Sequence, residues 1–167
     1  MCNNKKKIAI VPGSFDPITY GHIDIVKRAS AEYEKVYLAV MINPEKSYMF
    51  SLDERVRIAE KAINDLKNVE VISSEGMLWK LAEKLDADAI VKGYRNETDL
   101  EYEKKMATFN DEHCPRAKTV LLKASENLEN ISSTLVRNEL SEERNLLNLL
   151  PKDAIEEINI ILKSKKF

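Results

Sequence analysis

Short runs of apolar residues alternate along the chain with longer segments in which apolar residues recur every three or four positions. The short runs are continuously apolar, which is typical of strands that are covered on both faces in a parallel sheet. We predict five such strands, at residues 8–11, 36–42, 69–72, 89–91 and 119–122. Alternating strand and helix patterns predict an α/β fold: a doubly wound, five-stranded parallel sheet in a single domain over residues 1–167.

The helical pattern predicts six helices, and local residues indicate where each one begins. Two helices open with a Ser/Thr-x-x-Glu capping box, at residues 51–54 and 98–101. Proline suits the first position of a helix, so we expect Pro151 to start the last one. The other three begin near His22, after Gly76 and near Ser132.

The connection between the first strand and the first helix reads Gly13-Ser-Phe-Asp-Pro and then Thr19-Tyr-Gly-His22. At about nine residues it is long for such a connection, whose usual length is roughly 2–6. A helix N-terminus after a Gly/Pro turn directs unpaired N–H groups at one point, which suits a phosphate. Ordinary turn and cap chemistry also explains each residue taken singly. The helix dipole disfavours an imidazolium at His22, whereas a bound phosphate would favour one.

Several loops are expected to meet this connection at the carboxyl edge of the sheet, where such folds bind ligands. They are residues 43–50, 92–96 and 123–132, with 73–76 as a further candidate. Four cationic residues lie in these loops or in the helix that follows them: Lys46, Lys92, Arg95 and Arg137. With His22 they make five potential cations at this edge. Taken singly, a lysine or arginine is more often a solvated surface residue, since 26 of them are scattered along the chain.

Two short motifs strengthen the prediction of an anion site. Gly93 lies between Lys92 and Arg95, so backbone and side chains would both approach a ligand there. Ser132, Ser133 and Thr134 start a helix with a run of hydroxyls, which suits a second anion site or a plain N-cap.

The four glycines, at 13, 21, 76 and 93, form neither a P-loop nor a G-x-G-x-x-G motif. No serine, cysteine or carboxylate is placed as an obvious nucleophile beside a base. Direct transfer between bound phosphates fits these absences, because a terminal phosphate is already charged at neutral pH. Catalysis would then consist of aligning two polyanions and neutralising the transition state.

Composition limits the remaining classes. Charged residues make up 32% of the chain, but the net charge is only −2, which argues against a nucleic-acid partner. No apolar run suggests a membrane span or a signal peptide, so we expect no membrane partner and a cytoplasmic location. Cys2 and Cys114 lack metal-ligand spacing and are predicted to be free thiols, with no structural zinc site.

The Gly13-Ser-Phe-Asp-Pro, Thr19-Tyr-Gly-His22 and Ile131-Ser-Ser-Thr segments resemble the signatures of the nucleotidyltransferase superfamily related to class I aminoacyl-tRNA synthetases. Lys-Gly-Tyr-Arg95, followed by Asp99-Leu-Glu-Tyr-Glu103, narrows the resemblance to bacterial phosphopantetheine adenylyltransferases. The resemblance implies a Rossmann-like nucleotidyltransferase fold and transfer of the adenylyl group of ATP to 4′-phosphopantetheine. The products are dephospho-coenzyme A and pyrophosphate.

The resemblance also implies roles for particular residues. His22, Lys46 and Arg95 would be catalytic, with His22 on the α-phosphate. The acceptor would contact Ser14, Lys46, Leu78 and Lys92. ATP would contact the largest set: Ser14, Phe15, His22, Gly93, Tyr94, Arg95, Glu103, Leu128, Glu129, Asn130, Ile131, Ser132, Ser133 and Thr134. Mg²⁺ as cofactor without named protein ligands, feedback inhibition by coenzyme A and a homohexamer are further implications.

Four positions depart from the pattern of the resembled family. Lys92 stands where arginine is usual, Tyr48 where proline is usual, Phe109 replaces a methionine, and Trp79 replaces a smaller aliphatic residue. Trp79 and Phe109 also read as packing residues. Two other functions stay open: a related adenylyltransferase acting on nicotinate mononucleotide, and a non-catalytic nucleotide sensor, for which Lys92 is the only support.

Overall fold

The computed structural model describes residues 7–142 and 144–166, so the predicted free thiol of Cys2 lies outside the described residues. Five strands form one parallel sheet: β1 Ile8–Gly13, β2 Lys35–Met41, β3 Val69–Ser74, β4 Ala89–Tyr94 and β5 Lys118–Lys123. Six α-helices accompany them: α1 Tyr20–Glu32, α2 Leu52–Ala62, α3 Leu78–Lys84, α4 Glu97–His113, α5 Ser133–Ser141 and α6 Lys152–Ser164.

The strand order is β3-β2-β1-β4-β5, which puts β1 at the centre of the sheet. Ala9 on β1 lies opposite Val36 on β2 and opposite Ala89 on β4. The chain first builds the sheet outward from β1 through β2 and β3, and then continues on the other side of β1 with β4 and β5. This reversal confirms the doubly wound fold and marks a ligand crevice beside β1.

Alternate residues of the central strands enter two different cores. On β1, Ala9 and Val11 belong to the larger core, which also holds the apolar faces of α1, α2 and α6. Ile10 points to the opposite face and joins a smaller core with Leu81 and Ala82 of α3. Helices thus cover both faces of the sheet, which explains why its strands read as continuous apolar runs.

The structure confirms one of the two predicted capping boxes and corrects the other, and it moves the start of the last helix by one residue. The capping box at residues 51–54 is confirmed: Glu54 N–H donates to Ser51 Oγ (3.2 Å) and Ser51 N–H to Glu54 Oε2 (2.9 Å). The box predicted at 98–101 is wrong, because Asn96 caps α4 by accepting the Asp99 N–H at 2.9 Å. Pro151 is the N-cap of α6, one position before the predicted one.

Candidate active site

A cavity of about 810 Å³ lies at the carboxyl edge of the sheet. Residues that follow β1, β2, β4 and β5 line it, as predicted from the sequence. Residues 73–76 do not line it, contrary to expectation. The direction of winding reverses between β1 and β4, and β3 is separated from that point by two strands, whereas β5 is separated from it by β4 alone.

The connection from β1 to α1 is shorter than predicted, because β1 continues to Gly13 and α1 starts at Tyr20. Phe15 has a positive φ of 48° and is only 4% exposed. Its ring folds over Gly13, where an added Cβ would approach Phe15 Cζ to 2.8 Å. The same ring meets the His22 imidazole edge-on at 5.0 Å, so Phe15 forms a wall that fixes the position of His22.

His22 is neutral and its tautomer is fixed. Thr19, the fully buried N-cap of α1, donates its N–H to His22 Nδ1 at 3.0 Å. Since Nδ1 is an acceptor, the ring proton lies on Nε2. Burial, and secondarily the charge of Arg95, lower the pKa of His22 to about 4. His22 therefore presents a neutral N–H donor and does not provide one of the expected positive charges.

Three of the four remaining cations already have carboxylate partners. Lys92 Nζ lies 2.8 Å from Glu103 Oε2, and Arg95 Nε lies 3.2 Å from Asp99 Oδ2. Arg137 Nη1 is 3.9 Å from Asp16 Oδ2. Lys46 is exposed, and no carboxylate of the described residues lies within 4.0 Å of its ammonium group. Lys46 thus carries the least compensated positive charge among the five predicted residues.

Asp16 joins three parts of the site, a role that sequence reasoning missed. Asp16 is only 4% exposed, and its carboxylate accepts hydrogen bonds from the N–H groups of Met49 (2.9 Å) and Phe50 (3.0 Å). Its carbonyl oxygen accepts a bond from Arg137 Nη1 at 2.8 Å. Asp16 therefore ties the β1–α1 connection to the loop after β2 and to α5.

The run of hydroxyls at the start of α5 is engaged in structural hydrogen bonds. Ser132 Oγ accepts the Leu135 N–H at 3.1 Å and caps the helix. Ser133 Oγ donates to the Pro17 carbonyl at 2.8 Å, and Thr134 Oγ1 accepts from Arg137 Nη2 at 3.1 Å. The N-cap reading is correct for Ser132, and all three residues nevertheless line the cavity.

Gly93 has a structural reason in addition to the predicted one, which stays a prediction. A Cβ at this position would lie 2.8 Å from Ile25 Cγ1, so α1 packs too closely for any side chain. The close packing of α1 against β4 therefore favours glycine at position 93, independently of any ligand in the cavity.

Every residue predicted for the site lines this cavity except Glu129 and Asn130. Glu129 instead lies 4.0 Å from the Lys123 ammonium, and Asn130 is exposed. The roles predicted for all of these residues remain predictions. Tyr102 and Met106 also line the cavity and were missed. Their spacing of four, which places them on one face of α4, was the signal available in the sequence, and the structure shows them 59% and 36% exposed.

The central switch point, the fixed histidine and the surrounding cations define a Rossmann-like transferase that handles phosphorylated ligands. The family model described as cytidylyltransferase-like matches residues 10–139. A crystal structure of a protein assigned as a nicotinate-nucleotide adenylyltransferase from Vibrio parahaemolyticus shares the fold, with a TM-score of 0.72. The two sequences are 24% identical, and the match covers 92% of this chain and 91% of the Vibrio chain.

Closer sequence relatives narrow the class. The phosphopantetheine adenylyltransferase of Clostridium perfringens is 41% identical over 91% of this chain and 93% of its own length. Those of Alkaliphilus metalliredigens and Caldanaerobacter subterraneus are 47% and 44% identical over 78% of this chain, and over 83% and 82% of their own lengths. The chain belongs to the phosphopantetheine adenylyltransferase family.

Proposed function

We propose that this protein transfers the adenylyl group of ATP to 4′-phosphopantetheine, giving dephospho-coenzyme A and pyrophosphate in coenzyme A synthesis. An oxygen of the acceptor's 4′-phosphate forms a bond to the α-phosphorus of ATP. The bond between the α-phosphorus and the bridging oxygen to the β-phosphorus breaks, and pyrophosphate leaves. The observation that carries the proposal is the neutral His22, fixed with Nε2–H as donor in the same cavity as Lys46.

The acceptor needs no general base, because its phosphate is already charged at neutral pH. The barrier is repulsion between two phosphates, which donors and cations held in place reduce most in the transition state. His22 Nε2–H would donate to an oxygen of the α-phosphate. Lys46 would meet the acceptor's phosphate, and Arg95 the phosphates of ATP.

The remaining predicted contacts divide between the two substrates. Lys92 and Leu78 would lie on the acceptor side, with Leu78 against the pantetheine arm. Glu103 and the start of α5 would lie on the nucleotide side. The ion pair between Lys92 and Glu103 links the two sides, so it supports both half-sites being formed together.

Mg²⁺ belongs to the proposal as a companion of ATP. Among residues 7–142 and 144–166, no three His, Cys, Asp or Glu side chains are grouped to hold a metal ion. Asp16, the buried carboxylate of the cavity, is already used by two amides. Such a site suits Mg²⁺ held by phosphate oxygens and water, where the ion would neutralise charge on the triphosphate.

The direct test measures pyrophosphate release from ATP and Mg²⁺ with 4′-phosphopantetheine, beside nicotinate mononucleotide, with mass spectrometry of the product. We expect dephospho-coenzyme A from the first acceptor and no product from the second. Product from nicotinate mononucleotide alone, or tight ATP binding with no turnover, would overturn the proposal. Replacing His22 by alanine should lower kcat about 100- to 1,000-fold in a folded protein.

Assembly, regulation and location complete the proposal. A homohexamer is part of the proposal because the family resemblance implies it, and light scattering should give six times 19.1 kDa. Feedback inhibition by coenzyme A is supported by chemistry, because that molecule contains both a pantetheine arm and an adenine nucleotide. Titrating coenzyme A into the assay tests it. A cytoplasmic location is tested by cell fractionation.

Among the residues that the structure describes, no helix combines the length and apolar character that a membrane span requires.

A further inference from the structure

Tyr48 and Arg55 form a stacked pair under the loop that carries Lys46. Arg55 is 1% exposed, and its guanidinium carbon lies 3.9 Å from the centre of the Tyr48 ring. Its Nη1 donates to the carbonyl oxygens of Ser14 (2.7 Å) and Met41 (3.0 Å). No carboxylate of the described residues forms an ion pair with Arg55. Carbonyl groups and the ring face therefore compensate part of this buried cation, whose Nε–H has no hydrogen-bond partner among the described residues.

The Tyr48 hydroxyl closes the loop into a compact turn. Tyr48 Oη accepts the Asn43 N–H at 2.7 Å and lies 3.4 Å from Ser14 Oγ. The carbonyl oxygen of the same asparagine accepts the Lys46 N–H at 3.0 Å. Asn43 is thus held at its N–H by Tyr48 and holds Lys46 through its C=O. The ring that stacks on Arg55 and the hydroxyl that binds Asn43 belong to one side chain.

We propose that Tyr48, anchored by Arg55, is a positioning residue for Lys46 and, through it, for the phosphate of the acceptor. The proposal rests on the function proposed above, which gives that phosphate to Lys46. Tyr48 lines the cavity with Ser14 and Lys46, so the loop it fixes is part of the site wall. An ammonium on a long, exposed side chain is directed only as well as the backbone that carries it.

Tyr48→Phe is the informative change, because it keeps the ring on Arg55 and removes only the hydroxyl. Loss of the hydroxyl's contacts with Asn43 and Ser14 and a freer turn should raise KM for 4′-phosphopantetheine about 5- to 10-fold. KM for ATP should stay within about twofold of wild type, whereas kcat should fall, because Lys46 is also assigned to catalysis. Tyr37→Phe is the matched control, since Tyr37 lies on β2 and is not part of the cavity wall.

A second readout does not depend on turnover. Hydrogen exchange at the Asn43 and Lys46 amides should become about tenfold faster in Tyr48→Phe and stay unchanged in Tyr37→Phe. Unchanged exchange, or an equal rise in both KM values, would overturn the proposal. If the wild-type protein forms no dephospho-coenzyme A, the proposed function is wrong, and so is the part of this proposal that links Lys46 to the acceptor's phosphate. Exchange would then still decide whether Tyr48 holds the turn.

Discussion

Replacing Gly93 by alanine should displace the end of β4, because the new methyl group would collide with α1. The added Cβ would lie 2.8 Å from Ile25 Cγ1 and 3.0 Å from Cδ1, whereas ordinary contacts begin at 3.4 Å. Ile25 is 5% exposed, so most of its side chain is enclosed by neighbouring atoms, although one part borders the cavity. Overpacking of this kind costs about 1–3 kcal/mol in unfolding free energy. Because Lys92 and Arg95 flank Gly93, we also expect kcat/KM to fall about tenfold.

Urea unfolding followed by the fluorescence of Trp79, the only tryptophan, measures the stability change. Gly76→Ala is the matched control, since nothing lies within 4 Å of a Cβ there and the substitution should be neutral or stabilising by up to about 1 kcal/mol. Ile25→Val removes the Cδ1 contact at 3.0 Å but keeps Cγ1, so adding it to Gly93→Ala should recover only part of the lost stability. Equal stability of the two alanine variants would refute the packing explanation.

Three further predictions concern charge. Burial lowers the pKa of His22 to about 4, so its NMR signals should not titrate between pH 8 and 5. Because the unfolded chain takes up that proton first, near pH 6.5, stability should decrease as the pH falls from 6.5 towards 4. Asp16→Asn should cost about 2–3 kcal/mol in urea unfolding, because one buried amide loses its acceptor, while the exposed Asp65→Asn should change little. Lys92→Met should raise KM for ATP about tenfold by leaving the Glu103 carboxylate unpaired, and adding Glu103→Gln should restore most of the loss. A double variant no better than the single one would contradict the pairing.

The fold was predictable because the local pattern and the tertiary structure agree. Strands covered on both faces must be apolar throughout, and the central strands show that directly in residues such as Val11 and Leu38. The rule that ligands bind at the carboxyl edge of the sheet then predicted that distant loops meet at one cavity, and this prediction needed no knowledge of side-chain contacts. The resemblance added the acceptor and the individual roles, which periodicity and composition do not contain.

The charge state of the site was less predictable, because it depends on which side chains meet. The Arg95–Asp99 pair is local, but Arg95 lies before the N-cap of α4, so the helical i,i+4 rule did not predict it. Asp16 and Arg137, by contrast, are brought together only by the fold. The tautomer of His22 required the position of the Thr19 N–H, which no residue pattern specifies.

The pairing of the cations has a consequence for how a polyphosphate is bound. A phosphate that approaches Lys92, Arg95 or Arg137 meets a cation whose field is already reduced by a carboxylate, so part of its attraction is offset. Lys46 and the neutral His22 Nε2–H have no such competitor among the described residues. These two groups therefore act on a bound phosphate without that offset. Whatever phosphate charge they contact in the transition state receives their stabilisation undiminished by a neighbouring carboxylate.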